Sequence, residues 1–335
     1  MKNKILIVGP SWVGDMVMAQ VLFQLLRQQQ PDADIHVLAP LWSEALLSRM
    51  PEVQKSLVLP FKHGELNLRA RYRFAKQLRS ENYTQAIVLP NSLKSALIPF
   101  FARIPKRTGF VGEQRFGLLN DVRRLNKKAL PTMVERFAAL AFPKNTVLPA
   151  QLPNPVLSVT STSQRPGFEI SVDTTKPVLI LCPGAEFGPS KCWPPKHFAA
   201  VANQKLAEGW QVWLLGSSND RKIADDIQIQ TQSRCCNLVG KTSLSEAVDL
   251  LSLANVVVTN DSGLMHMAAA VNVKVIAVYG STSPHFTPPL SDNAVIVKFN
   301  LECQPCFKRV CPLKHHACME TLKPEMVLMY CHAVI

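Results

Sequence analysis

The sequence predicts an α/β protein built as two Rossmann-like domains, each a parallel sheet with helices on its faces. Three observations carry this. Short β-branched apolar runs alternate with helical stretches in both halves; glycine-rich or polar turns follow the runs; and a proline-rich stretch separates the halves. At 335 residues, 47% apolar and 18% charged, the chain is long for one α/β core and ordinary for two.

The first apolar run, 5–8, leads into GPSWVGDM at residues 9–16. Gly9 and Gly14 keep the spacing of a P-loop, but Asp15 and Met16 stand where its lysine and hydroxyl belong. A carboxylate at that point repels phosphate and suits a general base that takes a proton from a hydroxyl. The competing reading makes Asp15 an N-cap for the helical pattern of Val17, Val21, Leu22 and Leu25. Apolar runs at 35–39, 56–59 and 85–89 then alternate with helical stretches such as 69–81 and 93–103. Pro143, Pro149, Pro153, Pro155, Pro166 and Pro177 mark a linker. The expected organisation is an N-terminal domain over 1–165 and a C-terminal domain over 166–335, facing each other across a cleft.

In the second half, strands are expected at Val178–Cys182, 211–215, 256–259 and 275–279. Between the first two, Phe198, Val201, Ala202 and Leu206 recur at helical spacing. The run 178–182 leads into PGAEFGPSKCWPPKHF, which delivers Lys191 beside Trp193 close to a helix start, a place that favours an anion. Run 256–259 leads into NDSGLMHMAAA, with Asp261, Ser262 and Gly263 in the turn and His266 on an apolar helix. Polar groups at the carboxyl end of a parallel strand are placed to meet a ligand; a lone histidine on such a helix is more often a hydrogen-bonded core residue. The turn 214–220 suits a ribose or base edge, and Ser243 reads as the N-cap of a helix over 244–254. No G-x-G-x-x-G fingerprint is present, which disfavours an NAD enzyme. The last stretch, 323–335, is expected to be helical and to pack back on the N-terminal domain.

Charge divides unevenly. Residues 1–150 hold 22 Lys and Arg against 10 Asp and Glu, whereas 151–335 hold 15 against 14. The densest part, 106–128, carries Lys106, Arg107, Arg115, Arg123, Arg124, Lys127 and Lys128; a second group is Lys62, Arg69, Arg71, Arg73, Lys76 and Arg79. Such a field attracts a polyanion: nucleic acid, an anionic membrane surface or an acidic glycan. With 7% aromatics and no known nucleic-acid module, a nucleic-acid partner is disfavoured. No apolar run reaches the ~18 residues of a membrane span, and no signal peptide is read, so a cytoplasmic protein peripheral to a membrane is expected. Nine cysteines without a secretion signal argue for reduced thiols. Four of them, Cys303, Cys306, Cys311 and Cys318, crowd together with His315 and His316 in a spacing that fits a structural zinc, unliganded thiols or oxidation-formed disulfides.

SWVGD, PNSLKSAL, PGAEFGPSKCWP, NDSGLMHMAAA and YGSTSPHFTPP, in that order along nearly the whole chain, resemble glycosyltransferase family 9. The resemblance implies a GT-B fold, with the acceptor on the N-terminal domain and the sugar nucleotide on the C-terminal one. It also implies inverting transfer of a heptose from ADP-heptose to the first heptose of a lipopolysaccharide inner core. It makes Asp15 the base and Lys191 a ligand of the diphosphate. Asp261, Ser262, Gly263, Leu264 and His266 would hold sugar and phosphates, with Thr242 near the adenine and Glu186 and Asp220 as less secure contacts. Asn91, Lys94, Arg107 and Arg115 are the expected acceptor contacts. No catalytic metal is implied, so zinc at the cysteines would be structural. Another member of the family would share the fold and differ in acceptor; a nucleotide sensor would not need Asp15.

Overall fold

The computed structural model describes residues 2–61, 64–160, 173 and 175–332, and divides them into two compact units meeting at Pro155 and Val156. The boundary expected at 165/166 lies outside the described residues, as does Lys62. The beginning of the linker is already fastened to the second unit: Leu157 N–H donates to the Ala270 carbonyl and Thr160 N–H to Asp249.

The first unit runs β1 (Lys4–Val8), α1 (Val13–Gln29), β2 (Asp34–Ala39), α2 (Glu44–Leu47), β3 (Lys55–Val58), α3 (Leu68–Gln77), β4 (Gln85–Val88), α4 (Leu93–Phe101), β5 (Lys106–Phe110), β6 (Asp121–Arg123) and α5 (Met133–Ala138). Its six strands are all parallel in the order β3-β2-β1-β4-β5-β6, the doubly wound Rossmann order. β1 and β4 are covered on both faces, which explains their continuous apolar sequence. α1 packs against α5 and buries ten residues from Met16 to Leu26, so it is apolar nearly all round. A capping box between Thr132 and Glu135 starts α5.

The second unit repeats the plan with β7 (Val178–Cys182), α6 (Pro195–Ala207), β8 (Gln211–Leu214), α7 (Arg221–Gln230), β9 (Cys236–Asn237), α8 (Leu244–Ser252), β10 (Val256–Asn260), α9 (Gly263–Ala270), β11 (Lys274–Tyr279), β12 (Ala294–Lys298), α10 (Ala317–Glu320) and α11 (Pro324–Leu328). The sheet is again parallel, in the order β12-β11-β10-β7-β8-β9. Both sheets therefore have the two-domain α/β form expected of GT-B. Ser243 caps α8 in a box with Glu246, as its position predicts.

The C-terminal stretch differs from expectation. Its helix is only Pro324–Leu328, residues 333–335 lie outside the description, and α11 packs on α6 of its own unit. Val327 and Cys331 are fully buried with Trp193 and Phe198 in the second unit's core, an apolar anchorage that accounts for this docking. Among the described residues no helix is long and apolar enough to cross a membrane.

Candidate active site

In a doubly wound sheet the crevice opens where strand order reverses, between the first and fourth strands. In the first unit that point lies between β1 and β4; the chain leaving β1 reaches Asp15 in the first turn of α1, and the loop leaving β4 carries Asn91. The N-cap of α1 is Trp12, not Asp15; Asp15 is the third helical residue, half-buried in the first turn. Gly9 sits in close packing: a Cβ there would lie 2.9 Å from Met16 Cε and 3.2 Å from Ala39 Cβ.

The basic residues of 106–128 fall into two classes. Lys106, Arg124, Lys127 and Lys128 are exposed. Arg115 is 2% exposed and donates to the Phe110 and Pro90 carbonyls, to Ser95 Oγ at 3.1 Å and to Asn91 Oδ1 at 3.2 Å. Burial pushes its pKa down to about 10, still charged at neutral pH. Arg115, expected as an acceptor contact, thus spends its guanidinium within the protein, one of its bonds on Asn91. Arg107 likewise donates to the Leu118 and Ile104 carbonyls, each at 2.6 Å. Asn91 is exposed and Lys94 half-buried near the start of α4, whose first N–H donates to Glu113 Oε2 at 2.7 Å. A backbone atom of Asn91 lies 2.4 Å from where a Cβ on Gly112 would stand, so only glycine lets the two loops approach.

In the second unit the strand order reverses between β7 and β10. Lys191 comes from the loop after β7 and Asp261 from the end of β10. They form an ion pair of 2.7 Å with side chains 14% and 4% exposed. Thr282 Oγ1 donates to the same Asp261 oxygen at 2.5 Å, and the Lys191 ammonium lies 5.1 Å from the centre of the Phe187 ring. Asn260, fully buried, locks the two loops: its Nδ2 donates to the Pro183 carbonyl at 2.7 Å and its Oδ1 accepts from Trp193 N–H at 3.0 Å. Ser262 is the N-cap of α9 but makes no side-chain cap bond, so the first-turn amides of Gly263 and Leu264 meet no capping side chain.

His266, one turn into α9, is buried, and its Nδ1 has no hydrogen-bond partner among the described residues. Burial lowers its pKa to about 4, with Asp261 opposing and Lys191 assisting, so the ring is neutral at pH 7. An orphaned buried ring nitrogen beside an ion pair calls for an explanation, and a ligand atom supplies one.

The remaining predicted donor contacts differ in character. Asp220 serves the loop itself: its Oδ2 accepts from Ser217 N–H at 2.8 Å and Ser217 Oγ at 2.9 Å. A Cβ on Gly184 would fall 2.1 Å from its other oxygen, so Asp220 wedges the loops after β7 and β8 together. Glu186 is exposed and accepts from Asn219 Nδ2 at 3.2 Å. Thr242 is half-buried just ahead of α8. Sequence reasoning left out Asn260 and Thr282; Asn260 heads the NDSG turn it singled out, whereas Thr282 meets Asp261 only through the fold.

The cysteine segment holds its four thiols close together. Among the described residues, no three His, Cys, Asp or Glu side chains converge to hold a metal ion. Cys303, Cys306, Cys311 and Cys318, all free thiols, line a small cavity of about 20 Å³ with His315, His316, Ser190 and Ser281. The amides of His316, Leu313, Lys314 and His315 bond to the Cys311 sulfur and lower its pKa. Burial, reinforced by the neighbouring Cys303, Cys311 and Cys306, pushes Cys318 up to about 11. The loop's visible work is to brace the site. Ser190 N–H donates to the Arg309 carbonyl, Ser190 Oγ to the Lys308 carbonyl, Phe307 N–H to the Ser281 carbonyl at 2.8 Å, and Gln304 to the Gly280 carbonyl at 2.7 Å. These bonds hold the Lys191 loop and the Thr282 loop from behind.

Residues 71–317 match the family model described as glycosyltransferase family 9 (heptosyltransferase). The chain is 44% identical to lipopolysaccharide heptosyltransferase 2 of Escherichia coli K12 over 342 aligned positions, covering 99% of this chain and 98% of that protein. It is 50% identical to lipooligosaccharide heptosyltransferase 2 of Haemophilus influenzae, covering 88% of each. The solved structure of E. coli ADP-heptose LPS heptosyltransferase II superposes with a TM-score of 0.87 at 43% identity, over 98% of this chain and 97% of that one.

Proposed function

We propose, since this chain belongs to glycosyltransferase family 9, the heptosyltransferases, that it moves a heptose from ADP-heptose onto the first heptose of a lipopolysaccharide inner core with inversion at the anomeric carbon. The chain is a glycosyltransferase, and the relatives at 44–50% identity are heptosyltransferases 2. The observation that supports the donor assignment is the group at the second switch point: Lys191 paired to Asp261 beside a helix N-terminus without a side-chain cap, with the neutral His266 ring carrying an orphaned nitrogen.

Direct displacement needs a base for the acceptor hydroxyl and charge stabilisation for the departing ADP. Asp15 takes the proton. Its place in the first turn of α1, the helix that follows β1, fits that task, and Trp12, not Asp15, occupies the N-cap. Lys191 and the first-turn amides of α9 receive the diphosphate, whose charge grows as the anomeric bond breaks. Asp261 holds the ammonium in place before the nucleotide arrives, and Thr282 fixes Asp261. Asn91, positioned by Arg115, and Lys94 face the acceptor. No step uses a metal, and the cysteine-rich loop acts as a brace. The acceptor is lipid-borne, so the enzyme works at the cytoplasmic face of an anionic membrane.

The test is to incubate the protein with ADP-heptose and a core acceptor carrying one heptose. The acceptor gains the mass of one heptosyl residue and ADP is released. Transfer only to an acceptor lacking heptose would reassign the chain to a different step, and no transfer to either would overturn the reading.

A further inference from the structure

We propose that the outer face of α3 and α4 is the surface by which this protein docks on an anionic lipid bilayer. Between residues 66 and 112 the chain carries nine Lys and Arg and a single acid, Glu81. Glu81 is itself held by Lys4 and by Lys55. Two further carboxylates border the stretch, half-buried Glu65 ahead of α3 and Glu113, which accepts from the first N–H of α4, so the face is positive in balance.

The same face exposes apolar side chains where a helix pair would ordinarily be polar. Leu66 is 47% exposed, Leu68 50%, Tyr72 45% and Phe100 39%. Leu68 and Tyr72 are one turn apart on α3 and share its face. Tyr72 meets Phe101 edge-on with ring centres 5.5 Å apart, and Phe101 meets Phe100 at 5.7 Å, so the aromatics run continuously from one helix to the other. Around them Arg69, Arg73, Lys76, Arg103 and Lys106 are exposed, whereas Arg71 and Arg79 donate to backbone carbonyls beneath. Aromatic and leucine side chains ringed by cations match a bilayer interface, where rings settle at headgroup level and cations meet anionic lipid. A duplex offers phosphates but no apolar layer for Leu66, Leu68 and Phe100.

The placement suits the reaction. Arg71 Nη1 reaches the Lys94 carbonyl at 3.5 Å, which ties the start of α3 to the start of α4. The patch thus begins beside the loop that carries Asn91 and Lys94, so docking would bring a lipid-anchored acceptor to that loop. The inference rests on the proposed membrane-borne acceptor.

The experiment is co-sedimentation of the full chain, without substrates, with phosphatidylcholine vesicles prepared with and without phosphatidylglycerol. Binding is expected only to the anionic vesicles and should weaken with added salt. Arg73→Glu with Lys76→Glu should lower binding at least about tenfold, given about 1 kcal/mol per basic residue near an anionic surface. Lys127→Glu with Lys128→Glu makes the same change in net charge elsewhere on the unit and should leave most binding intact. Transfer to a water-soluble acceptor fragment should be unchanged in both variants. That arm separates failure of the docking surface from failure of the transfer reading. Equal loss in the two double variants, equal binding to neutral vesicles, or binding to duplex DNA as tight as to anionic vesicles would overturn the proposal.

Discussion

Replacing Lys191 by methionine should have two separable consequences, because the residue is paired inside the protein before any ligand arrives. Its ammonium neutralises Asp261, whose side chain is 4% exposed and, among the described residues, keeps Thr282 as its hydrogen-bond partner once the lysine is gone. Orphaning one member of a buried pair costs about 3–5 kcal/mol, and the 14% exposure of Lys191 places the cost at the lower end. For a unit of this size that lowers Tm by roughly 6–12 °C. Independently, loss of a charge-assisted contact to the diphosphate removes about 1.5–3 kcal/mol, or roughly tenfold to a hundredfold in ADP-heptose affinity. The double variant Lys191→Met with Asp261→Asn separates the two effects. It removes both charges, so stability returns to within about 1 kcal/mol of wild type while nucleotide binding stays weak. Differential scanning fluorimetry and titration calorimetry read the two quantities. A single variant with wild-type Tm would refute the buried pair, and a double variant that binds ADP-heptose normally would remove Lys191 from the site.

Two further outcomes follow from the same loops. His266 has a folded pKa lowered to about 4 against an ordinary value near 6.5, so the unfolded chain binds the proton more readily between those values. Stability associated with this residue is full above about pH 6.5 and falls as the pH drops toward 4. His266→Gln should therefore show a shallower decline than wild type across that window in pH-dependent urea melts, and parallel curves would contradict the burial argument. Gly188 has φ +149°, and a Cβ there would lie 2.6 Å from the Arg309 carbonyl oxygen. Gly188→Ala should cost about 1–3 kcal/mol through overpacking and weaken ADP-heptose binding by displacing the Lys191 loop; an unchanged Kd would show that the cysteine-rich loop does not brace the site.

The parts of this molecule legible in its sequence are those governed by local pattern. β1, β4, β7 and β10 are buried on both faces and read as unbroken apolar runs, so the strands flanking each switch point, and the turns after them, were visible. β5 begins with Lys106 and Arg107, which read as part of a charge field; β6 and β9 have three and two residues, too few for any periodicity. Charge counting could not distinguish Lys127 and Lys128, which face solvent, from Arg115, which spends its guanidinium on backbone carbonyls. The turn 214–220 reads as suited to a ribose or base edge, and the sequence does not show that Asp220 within it accepts from the turn's own Ser217 amide. The Lys191–Asp261 pair joins residues seventy positions apart, and only sheet order brings them together. The cysteines combine a metal-like spacing with a place around one small cavity, but spacing along the chain does not by itself fix where sulfurs point.

The measurement that bears most directly on the central claim is the turnover of Asp15→Asn with ADP-heptose and a one-heptose acceptor, alongside its affinity for ADP-heptose by calorimetry. Asparagine keeps the size and polarity of the side chain in the first turn of α1 and removes the base. The account predicts a fall in kcat of about a hundredfold to ten-thousandfold, the range for loss of a general base, with ADP-heptose binding close to wild type because the nucleotide is held by the other unit. Near-normal turnover in Asp15→Asn would contradict the account and leave Asp15 a residue of the helix start alone.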